Sequence, residues 1–540
     1  MDHSMPGLTD FLAALDRRLH GLGHEGVSSA LRSAAGRLSP SERPAFLAMF
    51  DPAPAAPADA LLAEIEALVT GHGHAEDNFE DQRRYRRYRD DWWQEDEEPR
   101  FSGEADDLYR QLGQRFVACD WTVAAEGYRR LLYASVADVD SSDGCVVGGS
   151  HEVVQEALAR FLRCLLAPAS EPLEQRAVRV VEALDDLGSS LGTPSLAAIL
   201  NAHPDRIEDF DPMLGALGAL AEDRAKTASS WNLSQFQQLA IDVAVTLGGA
   251  DGLAPLACDA TMPRPDQVWE RWMTELAAVG RLADAIKIGA EAITTIDPSR
   301  DRAQVADLHS HHQRQAGDQR GALATGLVAF SDRPSLGRLR QVLDDADATR
   351  QTAPLAVLAS AAGADPLVRL TVQLLAGQID DVPAVTIAPY PRWTTDNEAV
   401  AIGGLLLGST HHRGRHTNLC TALLGPLDGA STDHNSYLRL RQRPGGTQPQ
   451  VGPLPLAPRV VLAIASVSPN VERLTVARHR VETSAADVMS NKARGSYGRV
   501  AQLVVALAHT SEDVGCGTAA SVIADFDREY RRFAAFRKEL

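Results

Sequence analysis

Aromatic residues are scarce in this chain, at 5% of its 540 positions, and lysine occurs only at Lys226, Lys287, Lys492 and Lys538. Alanine, leucine and arginine dominate instead, which favours helices over β-sandwiches or barrels built from aromatic and β-branched strands. The preference for arginine over lysine is read as a mark of GC-rich coding, not of function. The six cysteines, Cys119, Cys145, Cys164, Cys258, Cys420 and Cys516, form no CxxC pair. Reduced thiols of a cytoplasmic protein are therefore the expected state, with a disulfide framework or a structural zinc site as the alternatives. No uninterrupted apolar run approaches the roughly 18–20 residues that span a bilayer, and the opening MDHSMPGLTDFL lacks the basic and apolar regions of a signal peptide. No membrane contact is expected.

Catalytic motifs are missing as well. There is no GxxxxGK[ST] loop, no GxGxxG after a strand, no GxSxG elbow and no HExxH helix. No catalytic residue, cofactor or metal ligand is assigned, and an enzyme is not expected. The formal charge of −19 would repel phosphates over most of the surface, which argues against nucleic acid as a partner.

What is present is a repeated pattern. Tyr109, Leu112, Gly113 and Phe116 lead through Cys119 to Ala124, Ala125, Tyr128 and Leu131. Trp272, Leu276 and Val279 run to Gly280, followed by Ala285 and Ile288. Leu308, His312 and Ala316 run to Gly317, followed by Ala322 and Phe330. In each, a glycine or small residue ends one helix and a small alanine admits the next, as in tetratricopeptide-like hairpins. The predicted fold is all-α: a tetratricopeptide-like α-solenoid of irregular helical hairpins with a loop-rich insertion.

Composition divides the chain further. Residues 1–71 read as an N-terminal helical unit, 72–104 as a charged linker containing aromatics, and 105–376 as the helical-repeat array. Residues 377–470 are broken by proline and by Gly445-Gly446 into a loop-rich segment, with short helices expected at 398–407 and 417–424. Residues 471–540 return to helical hairpins. Length alone suggests about three or four domains, but a repeat array carries one continuous core and evades that rule.

The linker is the best candidate for a binding element. Tyr85, Tyr88, Trp92 and Trp93 sit among charges of both signs between 76 and 99, and such aromatics anchor protein partners well. A solvated spacer is the plainer reading. His411, His412 and His416 include an i, i+4 pair suited to a divalent metal, but Gly414 between them disfavours a helix there; they are read as surface histidines. His309, His311 and His312 fall in the third hairpin, where His312 is expected to pack. Asp138, Asp140, Ser142 and Asp143 before Gly144 resemble a calcium loop, but Gly149 stands where a bidentate glutamate is needed. An acidic interhelical loop is expected. The basic positions Arg478, Arg480, Lys492, Arg494, Arg499, Arg528, Arg531, Arg532, Arg537 and Lys538 suit solvated faces, or contact with an acidic partner or a second copy of the chain.

Two stretches go beyond generic hairpins. AGDQRGALATGLVAFSDRPSLGRLRQV, around the third hairpin, resembles helical arrays that accompany SWIM-type zinc fingers in bacteria. The tail, through Arg494, Tyr497, Ala501 and Leu503 to Phe536, Glu539 and Leu540, is similar to the closing helices of those proteins. The segment from Tyr109 to Leu162 resembles large bacterial helical-repeat proteins. The cysteine and histidine pattern of the SWIM module itself is absent, so the resemblance implies architecture without zinc chemistry. The function expected is a non-enzymatic scaffold or adaptor that binds a protein partner on the concave face of the array. A regulatory or sensor subunit of a defence or stress complex is one alternative. A metal-dependent enzyme built on His411, His412 and His416 is the other.

Overall fold

Gly280 and Gly317 have φ angles of 82° and 83°, in the left-handed region that glycine enters without a Cβ clash. Each closes a helix by the same pair of bonds, described here from a computed structural model. The Gly280 and Arg281 amides donate to the Ala277 and Leu276 carbonyls at 3.0 and 2.9 Å. The Gly317 and Asp318 amides donate to Arg314 and Gln313 at 3.0 and 2.9 Å. These bonds satisfy carbonyls that a helix end leaves unpaired. Five residues after each glycine, Ala285 and Ala322 are fully buried, so the following helix packs closely. The structure describes residues 57–72, 102–139, 151–167, 171–205, 207–227, 233–362, 365–384, 396–410, 415–429 and 455–540. Among them are 23 α-helices and no strand.

The chain forms two compact units, Met1–Val243 and Ala244–Leu540. In the first, α1 (Ala58–His72), α2 (Ser102–Val117), α3 (Trp121–Val139) and α4 (His151–Leu166) are followed by α5 (Leu173–Leu191), α6 (Leu196–Asn201), α7 (Phe210–Thr227) and the greater part of α8 (Leu233–Gly248). Helix α3 packs against α1, α2 and α4, and α5 against α4 and α7. Their shared core runs from Leu61 and Ile65 through Leu112, Phe116, Tyr128, Leu162 and Leu184 to Phe236.

The second unit begins with α9 (Ala254–Cys258), α10 (Pro265–Ala278), α11 (Leu282–Thr295), α12 (Arg300–Gln315), α13 (Gln319–Asp332) and α14 (Leu336–Thr349). From α10 to α14 each helix packs on the next, and α10 also on α12. Then follow α15 (Leu355–Ala361), α16 (Pro366–Leu375), α17 (Asp396–Leu407), α18 (Arg415–Leu423), α19 (Leu456–Ala465), α20 (Glu472–Ser490), α21 (Tyr497–Val514), α22 (Ala519–Glu529) and α23 (Ala534–Glu539). Every residue of α17 from Glu398 to Leu407 is buried, as expected of a helix that is apolar all round. It packs against α16, α18, α19, α20 and α21, so the helices within 396–465 share one core with those of 472–540.

The tail from 518 to 540 is two helices separated at Tyr530–Phe533. The break carries the chain round so that Phe536 is fully buried, its ring 6.0 Å from that of Tyr497. Leu233–Cys258 is a helical stretch apolar enough, by length and composition, to cross a membrane. It is interrupted by the 3₁₀ turn Gly249–Leu253, and Gln235 on it donates to the Leu184 carbonyl at 3.1 Å.

Candidate functional site

The hairpin of α2 and α3 uses the same turn as the two glycine hairpins, with Cys119 in the glycine's place. Its φ is 61°, and the Cys119 and Asp120 amides donate to Phe116 and Arg115 at 3.0 Å each. Five residues on, Ala124 is fully buried. A side chain in the left-handed region costs roughly 1 kcal/mol that glycine would not incur. Arg350 and Lys492 make the same exchange at other helix ends, with φ of 54° and 52°, but Cys119 differs in what its side chain meets.

Its sulfur faces the loop between α6 and α7, 3.7 Å from Nε2 of His203 and 3.4 Å from Oδ2 of Asp205. The His203 ring is buried and held edge-on by Phe116 and Trp121, with ring centres 5.3 and 4.8 Å away. Its Nδ1 accepts the Asp205 amide at 3.2 Å, which leaves the ring proton on Nε2, the nitrogen facing the sulfur. Arg163 on α4 fixes the far side of the loop by donating from Nη2 to the Asp205 carbonyl at 2.7 Å. Its guanidinium also lies over the Trp121 ring, 5.5 Å from the centre. Arg163 is 1% exposed, and its Nε and Nη1 meet no hydrogen-bond partner among the described residues. Burial pushes its pKa down. The Cys119 thiol is pushed up by desolvation and by the Asp205 carboxylate, with Arg163 opposing.

A cavity of about 670 Å³ opens beside this cluster, lined by Leu200, His203, Pro204, Asp205, Phe210 and Asp211 among others. The thiol, imidazole and carboxylate donors all lie within 4.8 Å of one another. Sequence reading singled out Cys119 only as the small residue of a turn and did not select His203 or Asp205. The usable signal was cysteine at a position where the two matching hairpins carry glycine.

The residues singled out from sequence fall elsewhere. Tyr85, Tyr88, Trp92 and Trp93 lie outside the described residues, as do His411, His412 and positions 140–150 of the acidic loop. His416 belongs to α18. His309 and His312 on α12 are buried, and burial lowers both to a pKa of about 4. Several C-terminal arginines are engaged within their own unit. Arg480 makes a two-pronged contact to Glu398 at 2.8 and 3.1 Å. Arg499 reaches Asp396, and Arg537 reaches Asp527.

The chain matches no protein-family model, and no curated protein or solved structure shows significant similarity to it.

Proposed function

We propose that the chain is a non-enzymatic scaffold that binds a protein partner, and that α10–α14 form a tetratricopeptide-like solenoid stretch. One geometric observation carries this reading. Arg338 on α14 grips Asp307 on α12, 31 residues away, through Nε and Nη2 at 2.6–3.1 Å. Two helical turns further along both helices, Arg314 meets Asp345 at 3.2 Å with the same offset. Two contacts at one offset support α12 and α14 running parallel and in register, as the first helices of successive hairpins do. Arg264 at the start of α10 and Asp301 in the first turn of α12, 3.7 Å apart, support the same relation one hairpin earlier.

The hairpin run supplies a stiff surface, and Tyr85, Tyr88, Trp92 and Trp93 supply the anchors. The preference of interface hot spots for tyrosine and tryptophan supports the second assignment. Recognition would rest on shape and charge complementarity, without bond chemistry. Affinity capture from the native host, with the full chain and with a chain lacking residues 76–99, tests this. A specific partner should be recovered with the full chain and lost with the deletion. An unchanged partner set would remove the anchoring role, and no reproducible partner in either case would remove the scaffold.

A further inference from the structure

We propose that Cys119, His203 and Asp205 bind one divalent transition metal of the zinc class. The arrangement separates this reading from a nucleophilic relay. A Cys–His–Asp relay places the imidazole between thiol and carboxylate, so that the carboxylate orients the ring from its far side. Here Asp205 Oδ2 is nearer the sulfur, at 3.4 Å, than it is to Nδ1 of His203, at 3.7 Å. The three groups form a triangle, which is one face of a coordination tetrahedron.

The edges fit. With metal–sulfur bonds of about 2.3 Å and metal–nitrogen or metal–oxygen bonds of about 2.0–2.2 Å, tetrahedral ligands stand roughly 3.5 Å apart. The sulfur edges are 3.7 Å to His203 Nε2 and 3.4 Å to Asp205 Oδ2. The three donors as a set lie within 4.8 Å of one another, and the Asp205 side chain, 63% exposed, has room to rotate toward the ring. One thiolate with one imidazole and one carboxylate suits zinc, cobalt or ferrous iron; calcium and magnesium favour all-oxygen sets. Two of the three donors, His203 and Asp205, line the neighbouring cavity, and a fourth ligand would come from water or a small molecule.

The surroundings are built for fixed geometry. Phe116 and Trp121 hold the His203 ring edge-on, and the buried Arg163 pins the Asp205 main chain. On loading, Cys119 gives its proton to solvent. Metal on Nε2 would leave the ring proton on Nδ1, so the Asp205 amide, which donates to that nitrogen at 3.2 Å in the free chain, would have to turn away.

The test uses the full chain, stripped with a chelator and titrated with Co²⁺. The expected result is one equivalent bound, with a near-ultraviolet thiolate-to-cobalt band and visible bands of tetrahedral intensity, displaced by Zn²⁺. Cys119→Gly keeps the turn, because glycine is at home at this φ, and should abolish the thiolate band. Asp205→Asn, at an exposed position, should weaken binding at least about tenfold. Replacing His411, His412 and His416 together by alanine should leave the stoichiometry and spectrum unchanged. A chain that takes up no Co²⁺, or a thiolate band that survives in Cys119→Gly, would overturn the assignment. Circular dichroism of each variant distinguishes lost metal from lost fold.

Discussion

Nη2 of Arg338 lies 2.6 Å from Oδ2 of Asp307, in a pair whose side chains are only 6% and 7% exposed. Arg338 also donates to the Arg333 carbonyl at 2.8 Å, so one guanidinium ties α12, α14 and the turn between α13 and α14. A buried pair of this kind is weak evidence for net stability, because taking both charges out of water costs about as much as their attraction returns. Its consequence is register: sliding either helix along the other would pull the two charges apart inside the core.

That asymmetry is measurable. Asp307→Ala leaves a buried guanidinium without its carboxylate and should cost about 3–5 kcal/mol. Exchange of both partners for apolar side chains of similar volume, Asp307→Leu with Arg338→Met, should cost far less. Urea unfolding of the three chains checks this, and equal destabilisation in the single and double variants would contradict it.

The turn at Cys119 carries a second prediction. In metal-free protein, Cys119→Gly should be more stable by about 1 kcal/mol, since glycine adopts a φ of 61° without the Cβ clash. A thermal midpoint a few degrees higher is expected, and a lower one would show that the cysteine side chain holds the turn together.

A third concerns Gly289, buried on α11. A Cβ there would overlap Nδ1 of His309 and stand 2.8 Å from the Met273 sulfur. Gly289→Ala should therefore destabilise by about 1–3 kcal/mol through overpacking, against the roughly 1 kcal/mol that alanine gains over glycine in a helix. Adding His309→Ala should restore part of the loss. Denaturant midpoints of the single and double variants decide.

Acid should weaken the second unit. His309 and His312 sit at a pKa of about 4 in the folded chain against 6.5 unexposed to its interior, chiefly through burial, with Asp318 opposing at His309. Between pH 6.5 and 4 the unfolded chain binds protons that the folded chain does not. Stability therefore rises with pH across that window, is fully present above 6.5, and is lost progressively as pH falls toward 4. The loss is on the order of 3 kcal/mol per histidine. Urea midpoints at pH 7.5 and 5.0 should differ clearly, and His309→Gln with His312→Gln should reduce the difference, with His311, also lowered to about 4 by burial, retaining part of it.

Local signals in the sequence were legible where chemistry is local. Gly280 and Gly317 mark turns, and Ala285 and Ala322 mark close packing, because those roles depend on a missing side chain. The short helices expected at 398–407 and 417–424 correspond to Asp396–Leu407 and Arg415–Leu423. The central position of Asp396–Leu407 was not legible, since its partners lie up to a hundred residues away and burial on every side looks locally like any apolar helix. The break at Tyr530 was hidden because helical periodicity continues through it; ring packing on Tyr497 and Phe536 sets it. The Cys119 cluster was out of reach for a similar reason. His203 stands 84 residues from Cys119, and only the folded loop brings them together.

Amide hydrogen exchange on the full chain, free and with its captured partner, bears most directly on the scaffold reading. Binding on the hairpin run should slow exchange within residues 265–349 and in the segment 76–99. Protection confined to other helices, with both regions unchanged, would contradict it.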